Sequence, residues 1–83
     1  MSTPTGQVTL TPQQIEELAK LLSDMRHDVN NNLSLIVAAA ELIKFKPADA
    51  VRMAGTMSEQ PPKIVAHMTK FSTEFEKMLG IVR

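Results

Sequence analysis

Cysteine, tryptophan and tyrosine are absent from the 83 residues, phenylalanine and glycine occur three times each, and nine basic residues are matched by nine acidic ones. Without cysteine there is neither a disulfide nor a thiolate metal site, and the natural setting is a reducing, cytoplasmic one. With no surplus of positive charge and no cluster of Lys and Arg, the electrostatic footprint of a nucleic-acid binder is missing, which argues against DNA and RNA as partners. No apolar run approaches the roughly 20 residues that span a bilayer, and the opening MSTPTGQVTL has neither the charged nor the apolar region of a signal peptide. The expectation is a soluble intracellular chain with no membrane partner. Its length lies near the lower limit at which one core holds a chain together unaided.

What is present is rich in Leu, Ile, Ala and Met, the last occurring six times, a mixture that suits helix packing better than a sheet. Residues 1–10 carry Ser, Thr, Pro, Gly and Gln with little apolar periodicity and read as a flexible lead-in. Thr11 can then act as an N-cap, Pro12 is preorganised for the first helical position, and Gln14 sits where a capping box wants Glu or Gln. From there Ile15, Leu18, Leu22, Met25, Val29, Asn32, Ile36, Ala39 and Ile43 recur in steps of three and four, a heptad seam with one polar interruption. With no internal Gly or Pro before Lys46 and Pro47, this first arm runs about 34 residues and about 50 Å.

Residues 47–54 predict a short connecting helix ending near Gly55. Ser58, Glu59, Gln60, Pro61 and Pro62 predict a break, with the prolines opening a second long helix. Its seam is Ile64, Met68, Phe71, Phe75, Met78 and Val82. Residues 11–83 thus form an all-α unit, a long helical hairpin. Two arms leave each seam half covered, and pairing two hairpins as a homodimer into a four-helix bundle closes all four stripes on one core.

With Ile15, Leu22, Val29 and Ile36 at the a positions, His27 falls at f and points outward among Ser23, Asp24, Asn30, Asn31 and Ser34. Asp28 follows it by about 100° and flanks the imidazole. A histidine that attacks phosphorus needs a neutral ring with one nitrogen free, and an acid that binds the other N–H selects the tautomer and raises nucleophilicity. Asn31 could orient a water or a phosphoryl oxygen with its amide.

The run His27, Asp28, Val29, Asn30, Asn31, Asn32, Leu33 resembles the H-box of two-component sensor histidine kinases: His, an acid, an aliphatic residue, a variable polar one, Thr or Asn, commonly Pro, then Leu. Six of these seven positions agree, and Asn32 stands in place of the usual Pro. The likeness covers residues 11–83 in organisation and 27–33 in motif, since that family's dimerisation and histidine-phosphotransfer domain is a two-helix hairpin that dimerises into a four-helix bundle. It implies that His27 is the phosphoacceptor, Asp28 its acid/base partner, and Asn31 the residue that positions water for dephosphorylating a response-regulator receiver domain.

The resemblance also implies Mg²⁺ on the receiver partner and no cofactor on this chain. The ATP-binding domain that follows the hairpin in such kinases has no counterpart in these 83 residues, and there is no Walker-type loop. The expectation is therefore not an autonomous ATP-dependent kinase, and a separate ATP-binding domain is a further expected partner. The chain reads either as a free-standing phosphotransfer or phosphatase module, or as the phosphoacceptor piece of a kinase.

Plainer readings stand beside these. A lone exposed histidine on a helix is usually a surface residue, and His67, which has no motif around it, reads as structural or surface. Asn32 on the inner face can fix register and oligomeric state, and Asn30 reads as surface. Two histidines on separate arms give no metal-ligand spacing. A catalytically silent dimeric adaptor remains the alternative to the phosphotransfer module.

Overall fold

A computed structural model describes residues 6–80. Helix α1 spans Pro12–Phe45, a 3-10 turn spans Pro47–Asp49, and helix α2 spans Ala50–Leu79. The capping box forms as its residues require. Gln14 N–H donates to Thr11 Oγ1 at 3.1 Å and Thr11 N–H donates back to Gln14 Oε1 at 2.9 Å, satisfying two of the amides that a helix start leaves without partners. Residues 6–11 join neither helix nor strand. The rest of the lead-in, and Val82 of the second seam, lie outside the described residues.

The first arm is 34 residues long, as its periodicity predicts. The second differs from expectation. There is no separate connecting helix and no break at 58–62, because α2 runs unbroken through Gly55, Pro61 and Pro62 and stops at Gly80, whose φ of 67° closes the helix in the left-handed region. Proline inside a helix removes a ladder donor and crowds the carbonyl four residues back.

Polar side chains bind the backbone along this turn: Ser58 Oγ donates to Ala54 O at 2.9 Å, and Gln60 Nε2 donates to Thr56 O at 3.0 Å. Tertiary packing of the long arm overrides the local preference of the proline pair. The turn is nevertheless strained relative to alanine. Replacing Pro62 by Ala is expected to stabilise the fold by about 2 kcal/mol, the interior-proline penalty less the entropy that proline removes from the unfolded chain. Urea unfolding measures it; unchanged or lowered stability would show that the prolines shape the hairpin in a way Ala cannot.

The arms lie side by side and antiparallel, and the hairpin measures 58 × 25 × 11 Å across the Cα atoms. Among the described residues the buried apolar side chains are Ala39 and Met53, and the buried polar ones are Asn32 and Gln60. Of the seam expected to look inward on α1, Asn32 and Ala39 are buried and Leu18, Met25, Val29, Ile36 and Ile43 are half-buried, whereas Ile15 and Leu22 stand exposed, because a single hairpin offers α1 one neighbour and covers only part of its stripe.

Exposed apolar side chains stand on both flanks of the hairpin, Leu35 at 48% and Leu42 at 43% on one and a larger group on the other. Ile15 is 55% exposed, Leu22 40% and Leu33 46%, and on the second arm Met68 is 51% and Val65 61% exposed. At about 100° per residue, Ile15, Leu22 and Leu33 stand roughly 80–100° from Asn32, all to one hand. Met68 and Val65 turn to the same hand of Gln60, and in an antiparallel pair the two like-handed flanks share a face. His27 turns to the opposite hand, the one it shares with Leu35 and Leu42.

Candidate functional site

His27, Asn30, Asn31 and Ser34 are all exposed on α1. The four-residue spacing stacks Asn31 directly above His27, and Asn31 Nδ2 lies 3.4 Å from His27 Nε2. With the proton on Nδ1, Nε2 can accept from the Asn31 amide, which sets a hydrogen-bonding group beside the exposed ring. The two residues are brought together as the spacing predicts.

Asp28 takes a different partner from the one expected. Instead of flanking the His27 ring, its carboxylate turns along the inner edge of the helix, and Oδ2 lies 3.7 Å from His67 Nδ1 on α2. The reason is geometric: neighbouring helical residues diverge by about 100°, and Asp28 lies closer to the side that meets the second arm. Both side chains are partly open to solvent, His67 at 35% and Asp28 at 47%. They border a cavity of about 60 Å³ between the arms, lined by Leu21, Asp24, Met25, Asp28, His67, Lys70 and Phe71. His67, read from sequence as a structural or surface residue, is thus joined to one of the three site residues. Its signal is invisible along the chain, because it depends on the register with which α2 folds back.

Behind this edge lies a polar pair. Asn32 Nδ2 donates to Gln60 Oε1 at 2.8 Å, with Asn32 8% and Gln60 2% exposed. Asn32 Oδ1 is buried and meets no donor among the described residues. The expected register role for Asn32 has a physical basis here, because sliding one arm by a turn would strand both amides away from water. Asn32→Leu is expected to destabilise the fold by about 2 kcal/mol by leaving Gln60 Oε1 unpaired, whereas Asn32→Leu with Gln60→Leu should recover most of the loss. Chemical unfolding of the three proteins checks this; equal losses in single and double variants would count against a coupled pair.

Among the described residues no three His, Cys, Asp or Glu side chains are grouped to hold a metal ion, and no helix is long and apolar enough to cross a membrane. Comparison of the chain with models of known protein families, with curated proteins and with solved structures finds no match.

Proposed function

We propose that this chain is a two-component signalling module, passing a phosphoryl group between His27 and an aspartate of a receiver domain or assisting its removal from that receiver. The observation that carries the reading is the His27 and Asn31 pair: an exposed imidazole whose Nε2 lies 3.4 Å from the Asn31 amide nitrogen, within the seven-residue run that resembles an H-box. In the transfer, Nε2 attacks phosphorus, the P–O bond to the receiver's aspartate breaks, and a carboxylate leaves. The Asn31 amide swings off the lone pair and donates to a phosphoryl oxygen. The proton on Nδ1 passes to solvent or to Asp28. Transfer to the receiver is the reverse, and for dephosphorylation Asn31 orients water. Mg²⁺ belongs to the receiver, where it neutralises phosphoryl charge.

The working form in this reading is a homodimer, its four arms making a four-helix bundle. Its support is the group of exposed apolar side chains Ile15, Leu22, Leu33 and Met68 on one flank of the hairpin, since exposed apolar surface is what an association face buries. Sealing that flank leaves His27 outward and open to a partner. A separate ATP-binding domain is a second source of phosphate.

The test is direct. Incubating the wild-type chain with a phosphorylated receiver and Mg²⁺ should place an acid-labile, alkali-stable phosphate on His27, located by mass spectrometry. If receivers and ATP-binding domains bind the chain but never label it, the dimeric adaptor replaces the phosphotransfer module.

A further inference from the structure

We infer that His67 is a positioning residue that holds the Asp28 carboxylate in reserve, away from His27. This rests on the phosphotransfer reading above. The pair bridges the arms at 3.7 Å, close enough for an ion pair when the imidazole is protonated. Asp28 stands about 40° from Asn32 and His67 about 20° from Gln60, both toward the hand that His27 shares. The cavity beside the pair has a volume of about 60 Å³, room for the carboxylate to turn, since a single water needs only roughly 10–15 Å³ of such space.

Of the neighbouring charges, Asp24 has a partner in Lys20 at 3.9 Å and Lys70 lines the same cavity, while among the described residues the basic group within 4.0 Å of Asp28 is His67. With Oδ2 turned toward the second arm, the Asp28 carboxylate makes no hydrogen bond to the His27 ring among the described residues, and it must turn to take the proton from Nδ1, which ties chemistry on α1 to the seating of α2.

The consequence is a gain of activity on removing a side chain, a direction that a merely structural role does not produce. Labelling by a phosphorylated receiver should be about fivefold faster in His67→Ala, the most that a half-exposed ion pair of this kind yields. The gain should vanish in an Asp28→Asn background, and His67→Lys, which keeps a cation within reach of Asp28, should return the wild-type rate. Matching helical circular dichroism and sedimentation exclude an altered fold. A His67→Ala rate equal to or below wild type overturns the inference while leaving the phosphotransfer reading intact. Wild-type protein that takes no label at all removes that reading, and this inference with it.

Discussion

His27→Ala is expected to carry no acid-labile phosphate after incubation with a phosphorylated receiver, while its helix content and oligomeric state stay those of the wild type. The variant removes the nucleophile from an exposed position on α1, where alanine is the better helix former by about 0.5 kcal/mol. Loss of function therefore arises without loss of fold. Ser23 and Ser34 share the polar surroundings, but a phosphoserine is an acid-stable ester, so residual labelling on a hydroxyl is distinguishable from the phosphoramidate on a histidine. Asn31→Ala should act through the same step more mildly, slowing transfer about tenfold, the order of one aimed hydrogen bond. Quench-flow with acid and alkaline stops reads all three proteins. Undiminished acid-labile phosphate in His27→Ala would move the acceptor elsewhere.

Leu22→Glu should split the dimer. The side chain is 40% exposed in the single hairpin, so pairing on this flank would take the rest of it out of water. Glutamate there places two carboxylates in the sealed interface, each with a desolvation penalty of several kcal/mol in the absence of a partner. A net loss of about 4 kcal/mol per dimer corresponds to about a thousandfold weaker association. Asn30→Glu, on an exposed outward position, adds the same charge and should leave association unchanged. Equilibrium sedimentation at micromolar concentration compares them, and a well-folded wild-type monomer would end the bundle proposal. A charge at Phe71 would also break the bundle, but less cleanly. Its ring packs on Phe75 with centroids 5.8 Å apart and lines the cavity between the arms, so its loss damages the hairpin itself.

Much of this arrangement was legible along the chain. The first arm announces itself through Thr11, Pro12 and Gln14 at its start and a seam that never changes period, and His27, Asn30, Asn31 and Ser34 sort to the outer face by angle alone. What could not be read is whatever depends on the return of the chain. Gly55, Pro61 and Pro62 are local signals for a break, and they are overruled because a single continuous α2 carries Met53 and Gln60 into contact with the first arm. The partners of Asp28 and Asn32 are fixed by the same register. A tight turn at Pro47–Asp49 sets which residue of α2 stands opposite each residue of α1. Spacing within one helix is silent on that point, so Asp28 was assigned to its neighbour in sequence instead of to His67 across the hairpin.

The slightness of the interior has a thermodynamic corollary. Ala39 and Met53 are the apolar side chains that the lone hairpin buries among its described residues, too little hydrophobic transfer to offset the ordering of two long arms. In the homodimer proposed above, folding and assembly would be one second-order reaction, and the folded fraction would follow the law of mass action. Dilution then acts as a denaturant, and the melting temperature climbs with the logarithm of protein concentration. The amount of chain a cell makes becomes a setting for how much of it is folded at all.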